Sequence, residues 1–166
     1  MPDTKKARTL ALYEAARQPL FMVLDGIPAD QLNWKPAPES RSVGEICRHL
    51  YRVDIWFLKR LGITPVIEED APGSADEIAG RMRQIQQQII ENVERCDTDA
   101  DLFAERTSLD GETTAQLGPD VVHIAQHYLY HLAQIIYLRR ALDRAWASPM
   151  QEWEVATHLI GDYVLE

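Results

Sequence analysis

His123-Ile124-Ala125-Gln126-His127-Tyr128-Leu129-Tyr130-His131-Leu132-Ala133-Gln134 carries three of the chain's five histidines, each four residues after the last. On an α-helix a step of four residues turns about 400°, so successive histidines stack one turn apart, offset by only about 40°. Two imidazoles at i and i+4 can then close on one metal ion; a strand would hold them too far apart. One helix supplies two ligands, and a third has to come from elsewhere in the fold. His49, inside the helical pattern of residues 42–61, is the only well-placed candidate. The rest of the chain is accordingly read as the scaffold that brings His49 to that pair.

Working outward, the helix around this stretch is expected to begin near Pro119, a residue suited to a first turn, and to run to about Ala145. Val121, Val122, Ile124, Ala125, Leu129, Leu132, Ile135, Ile136, Leu138 and Leu142 make it apolar almost all round. Such a pattern predicts that its histidines enter an interior or an interface. Residues 42–61 open with Ser42-Val43-Gly44-Glu45, a capping box in which the serine oxygen takes an amide hydrogen and the glutamate reaches back. Val43, Ile46, Leu50, Val53, Phe57 and Leu61 share one face, with His49 at its edge near Trp56. Cys47 is two residues from His49, roughly 200° round the helix, and cannot share a metal with it.

A second box, Ser74-Ala75-Asp76-Glu77, starts a helix lined by Ile78, Met82, Ile85, Ile89 and Val93 that ends near Cys96. A first helix covers residues 5–24, with Leu10, Tyr13, Leu20, Phe21 and Leu24 as its stripe. Ser148-Pro149-Met150-Gln151 begins a shorter last helix, residues 153–166 at its fullest, carrying Trp153, Ala156, Leu159, Ile160 and Tyr163. Gly26, Pro28, Pro36 and Pro38 keep residues 25–41 from being helical throughout, and Leu32 and Trp34 there are expected to plug one end of a bundle. Residues 62–73, with Pro65, Pro72 and Glu68-Glu69-Asp70, form a 12-residue connection. Extended, it spans roughly 40 Å, more than the roughly 30 Å of a 20-residue helix, so it can cross over a bundle instead of turning tightly. Asp110-Gly111, set between Arg106-Thr107-Ser108-Leu109 and Glu112-Thr113-Thr114-Ala115, predicts a short hairpin in the polar stretch 99–118.

At 166 residues the chain is one domain, residues 1–166, with no internal repeat. No apolar run approaches the 18 or so residues of a membrane span, and the charged start, Met1-Pro2-Asp3-Thr4-Lys5-Lys6, is not a signal peptide. A net charge of −9 opposes binding to nucleic acid or to an anionic membrane. Cys47 and Cys96 form no framework, which suits a reducing cytoplasm.

A lone histidine on an apolar helix face is usually a hydrogen-bonded core residue. An i, i+4 pair in a buried helix shifts that balance, because each neutral ring still needs partners for two nitrogens. The zincin pattern is absent: Ile124 follows His123 and Tyr128 follows His127 where it requires glutamate. Both registers, 123/127 and 127/131, fit the spacing. His127 and His131 point with Ile124, Ile135 and Leu138 toward the packed side and are read as the ligands, with His123 behind them or facing solvent. His158 has no partner at ligand spacing and is read as structural or exposed.

Leu32-Asn33-Trp34-Lys35-Pro36-Ala37-Pro38, Ser42-Val43-Gly44-Glu45, His49-Leu50 and His127-x-x-Tyr130-His131-x-x-Gln134 occur in an order and spacing that resembles the DinB/YfiT-like metalloenzyme superfamily. There the pattern reads "LNWRPAP…SIG…HL" and later "NHxxYHRGQ"; the resemblance covers roughly residues 10–142. It implies an all-α fold, a four-helix bundle in up-down-down-up order with a crossover between helices 2 and 3, here followed by a short C-terminal helix. It also implies a divalent metal on His49, His127 and His131, and it carries the choice of register more than geometry does. The chain departs from the pattern where Leu132-Ala133 replaces a common Arg-Gly and Gln126 a common Asn, which points to a different anionic contact near the site.

Characterised relatives include transferases and isomerases that use low-molecular-weight thiols, and some hydrolases. The resemblance thus implies metal-assisted activation of a small-molecule thiol for S-transfer, with Tyr130 or Gln134 orienting ligands or substrate. Against these roles, Tyr130 reads first as core packing and Gln134 first as the partner of a backbone group or a histidine. Zinc, nickel, manganese and iron all suit such a site. A hydrolase of the same class and a non-catalytic dimeric bundle with a vestigial site are the rival readings; no obvious general base is present, since Glu45 belongs to the cap and Asp54 is displaced round its helix. Trp56, Trp146, Trp153 and the far side of the fourth helix exceed what a four-helix core needs, so a homodimer burying part of the first or fourth helix is expected, as relatives are often dimers.

Overall fold

Both capping boxes form as the sequence writes them. Ser42 Oγ accepts the Glu45 amide at 3.2 Å and Glu45 accepts the Ser42 amide at 2.9 Å; Ser74 and Glu77 repeat the exchange. They start the two middle helices of a computed structural model that describes residues 4–165, with side chains through Tyr163. The charged first three residues and the last residue of the chain, both part of the sequence reading, lie outside the described residues. The elements are α1 (Lys5–Met22), α2 (Ala29–Asn33), α3 (Val43–Arg60), α4 (Ala75–Glu94), α5 (Asp99–Leu102), β1 (Glu105–Thr107), β2 (Thr114–Gln116), α6 (Leu117–Leu142) and α7 (Met150–Leu165).

Side-chain contacts give the direction of each long helix. The connection after α3 lays Val66 beside Gln88, Glu68 beside Tyr51 and Ala71 beside Arg81, so it runs back along α3 to its middle and along α4 to its start. The two are therefore parallel, and the connection is the crossover its length allowed. Arg60 at the end of α3 bonds Asp120 at the start of α6 (3.1 Å), making that pair antiparallel. Lys6 at the start of α1 donates to Glu94 and Cys96 carbonyls at the end of α4, while Arg139 near the end of α6 donates to Val23 and Asp25 carbonyls just past α1. The order is up, down, down, up. These cations also satisfy helix-end carbonyls that have no partner within their own helix.

Four differences from the sequence reading have local causes. Residues 29–33 form a helical turn that buries Leu32, whereas Trp34 stays half-buried. The hairpin pairs Glu105 with Gln116 and Thr107 with Thr114, so its loop is wider than the Asp110-Gly111 turn. Ser108 closes that loop by accepting the Thr113 amide and donating to Asp110, which leaves Gly111 alone at φ +77°. α6 begins at Leu117 and ends at Leu142, before Ala145. Finally, α7 packs along α1, with Thr9 bonded to Tyr163 and Ala156 fully buried. That covers a second side of α1 and half-buries Trp146 and Trp153 within the chain, Trp146 lying 4.3 Å from the Arg139 guanidinium.

At mid-height each bundle helix contributes one polar group to a buried layer: Tyr13, Asp54, Gln86 and Tyr128. Tyr128 donates to Asp54 Oδ2 at 2.7 Å; its single hydrogen thus spent, it accepts from Tyr13 at 3.1 Å. Gln86 faces the carboxyl and favours its charged form, yet neither its amide nor Asp54 Oδ1 makes a hydrogen bond of good geometry. Burial dominates and pushes the Asp54 carboxyl up to about 8.

An unfolded aspartate ionises near pH 4. Between there and about pH 8 the folded protein holds a proton that the unfolded chain has released, so stability falls as pH rises through this window. Asp54→Asn keeps the acceptor for Tyr128 and removes the titration. It should raise stability at pH 8 by about 1–3 kcal/mol, the scale of an ill-satisfied buried polar group, and change little at pH 5. Thermal melts at the two pH values check this; an equal shift at both would show that Asp54 does not titrate in the window.

Candidate metal centre

Across the antiparallel face between α3 and α6, three imidazoles meet. Ligand atoms of His49, His127 and His131 all lie within 4.8 Å of one another. The His49 ring is 5.4 Å from that of His127 and 4.9 Å from that of His131, edge-on to both. His127 and His131, one turn apart on α6, turn Nε2 toward Nε2 at 3.1 Å. Nitrogens bound to one zinc at about 2.0–2.1 Å in tetrahedral array are about 3.3 Å apart, so this pair already has the spacing of shared ligation.

The nitrogen chemistry also fits. His131 Nδ1 lies 2.8 Å from Gln134 Oε1, an atom that can only accept. That bond puts the ring's hydrogen on Nδ1 and leaves Nε2 with a free lone pair facing His127. His127 turns Nε2 to this cluster, while its Nδ1, on the other side of the ring, is buried without a hydrogen-bond partner among the described residues. Burial, and then the neighbouring imidazoles, depress His127 to about 4. Burial lowers His49 and His131 as well, and the Arg41 charge acts on both in the same sense. The three rings are thus held toward the neutral form that a metal requires. The donors present suit a divalent ion.

His123 is not in the cluster. It is exposed, its ring edge-on to Phe57 at 5.3 Å, because α6 has turned it back past the end of the site. His158 is exposed on α7. Gln134 is tied to His131, the role the sequence reading set against substrate contact. Tyr130 is not core packing: it is 62% exposed, its ring 4.9 Å from His131 at the rim of the cluster. The reason is that among the described residues no other helix covers this side of α6, where Tyr137 is exposed as well. Cys47 is fully buried, its thiol pushed up to about 12 by that burial, and Cys96 is buried at the far end of α4. Glu45 is engaged by Lys35 at 2.6 Å as well as by its cap.

Sequence reasoning passed over Arg41 and Arg48, which line a cavity with His49. The signal was legible: Glu45, Arg48, His49 and Arg52 stand at i, i+3, i+4 and i+7, one charged face of α3.

Comparison with known proteins agrees with this architecture. A DinB-like protein from Bacillus cereus ATCC 10987 superposes with a TM-score of 0.70 at 20% identity, over 85% of this chain and 93% of that one. A protein assigned to the DinB family, from Exiguobacterium sibiricum 255-15, gives 0.64 at 17% identity, over 89% and 97%. At such identities the likeness speaks for the fold alone. No curated protein matches the chain. The family model of the DinB superfamily matches residues 12–135, a span holding His49, His127 and His131 and most of the chain, and the chain therefore belongs to the DinB superfamily.

Proposed function

We propose that the chain is a divalent-metal-dependent enzyme that activates a small-molecule thiol for transfer to an electrophile. The convergence of three neutral imidazoles from α3 and α6, with no carboxylate or cysteine among them, carries this reading. When bound there, a divalent ion supplies a Lewis acid that lowers the pKa of a thiol or a water and polarises an oxygen. His49, His127 and His131 would hold it, and Gln134 would keep His131 in the competent tautomer. Three protein ligands rather than four suit a reactive site rather than a structural one.

Thiol chemistry is favoured over hydrolysis by what surrounds the cluster. Water, with a pKa near 15.7, needs far more help than a thiol near 8.5, and among the described residues the one unpaired carboxylate of the His49 cavity is Glu39, exposed on the connector. Glu45 is held by Lys35 and the cap, and Asp54 faces the bundle centre. The chain's own thiols are buried away from the cluster, so the reacting sulfur belongs to a substrate. In the reaction a sulfur–carbon bond forms to the electrophile, its leaving group departs, and the thiol proton goes to solvent. Tyr130, exposed at the rim, is placed to contact the incoming molecule.

Elemental analysis of untagged protein should find about one divalent ion per chain. Alanine at His49, His127 or His131 should weaken metal binding about a hundred-fold or more, and His123→Ala several-fold at most, as read by competition with a chromogenic chelator. Loaded protein should accelerate arylation of a small thiol by 1-chloro-2,4-dinitrobenzene. No bound metal, with no rise in melting temperature on adding zinc, nickel, manganese or iron, would leave the non-catalytic bundle as the reading.

Cys47→Ser should keep that activity, since the residue touches neither the cluster nor its mouth. Loss of activity with metal retained would assign the reacting sulfur to the protein. The homodimer is carried forward as a proposal on Trp56, Tyr130 and Tyr137 alone, all more than half exposed, because α7 accounts for Trp146 and Trp153. Light scattering at micromolar concentration should give twice the chain mass, and a monomeric mass would end it.

A further inference from the structure

Beside His49 the bundle end opens into a cavity of about 320 Å³, near the lower limit for small-molecule sites. Residues 35–41, arriving from α2, form one wall, and the charged face of α3 forms the other. In a chain of net charge −9, this wall is cationic: Lys35, Arg41, Arg48 and Arg52 line it, against Glu39 and Glu45. Two of the cations are spent. Lys35 is paired with Glu45, and Arg52 with Asp70 of the crossover. Arg41 and Arg48 have no ion pair or hydrogen bond among the described residues, and Glu39 engages neither. The Arg41 charge nevertheless reaches both His49 and His131.

The geometry points to an anion subsite: Arg41 and Arg48 seat a carboxylate or phosphate group of the substrate, whose reacting end then lies at the three histidines. This deepens the proposed function and rests on its placement of the reaction at His49. Three imidazoles add no negative charge, so a divalent ion held by them keeps its full charge, and two unpaired guanidiniums stand at the same opening. What such a site lacks is an anion. A guanidinium binds carboxylate or phosphate through paired N–H donors, and a half-enclosed cavity screens that contact less than open water does. A neutral substrate would leave both arginines facing an empty cavity. An acid group at one end fixes the molecule's direction, so that its other end is presented to the histidines.

The test uses calorimetric titration of succinate and of inorganic phosphate into the full chain at low ionic strength. Both the metal-loaded protein and the protein stripped by chelator are measured. At least one of the two anions should bind, and which binds more tightly distinguishes carboxylate from phosphate. Arg41→Gln and Arg48→Gln should each weaken binding about ten-fold, and the double variant should abolish it. Arg95→Gln, on the exposed end of α4, should leave binding unchanged, and metal content should be equal throughout. Undiminished binding in the double variant, or no binding of either anion to the native protein, would overturn the inference. Arginine-dependent binding by the stripped protein supports it even if no metal proves to be bound, so the subsite and the metal reading fail separately.

Discussion

The antiparallel register of α3 against α6 is the constraint on which the site depends. His49 meets His131, Asp54 meets Tyr128, Phe57 meets His123 and Arg60 meets Asp120. Each step forward along one helix is matched by a step back along the other. These contacts differ in kind, so a slip of one turn, about 5.4 Å, has no compensating arrangement. It would strand a buried carboxyl against aliphatic side chains and open the Arg60–Asp120 pair, losses that a new contact of His49 with His123 does not make good. Such mutual dependence among unlike contacts makes the three-histidine geometry a property of the packed bundle.

His127 and Tyr128 show how the support is delivered. Adjacent on α6, they project about 100° apart, one to the edge where His49 waits and the other into the buried polar layer. Tyr128 is held by Asp54 and Tyr13 on two other helices, which limits rotation of α6 about its own axis and so fixes where His127 points. Buried polar layers of this kind add little to net stability and can cost it. Here the imperfect satisfaction of Asp54 and Gln86 is a cost carried next to the site, where a defined helix orientation matters most.

Electrostatically the molecule is divided. Its acidic surface keeps polyanions away as a whole, whereas the mouth beside His49 gathers positive charge. Burial and neighbouring charge then act together on the imidazoles, holding them neutral and available as ligands. Lys35, paired with Glu45, joins residues 35–41 to the capping box of α3.

Much of this was legible in the sequence because it is local. Ser42 with Glu45, Ser74 with Glu77, and the i, i+4 spacing of the histidines each act within one helical turn, and the length of residues 62–73 sets what that connection can reach. Pattern over the whole chain likewise indicated the family and the bundle. What lies between elements distant in sequence was decided only in the tertiary structure. Spacing allowed His127 to pair with either neighbour; the position of α3 placed His49 against His131 and left His123 on Phe57. An apolar pattern almost all round α6 did not show which side would stay uncovered, and so Tyr130 stands at the surface. The layer of Tyr13, Asp54, Gln86 and Tyr128, and the unpaired Arg41 and Arg48 beside His49, required four helices and a connector to be in place first. Periodicity ranks the faces of one helix, but the choice of neighbour for each face is made by packing them all at once.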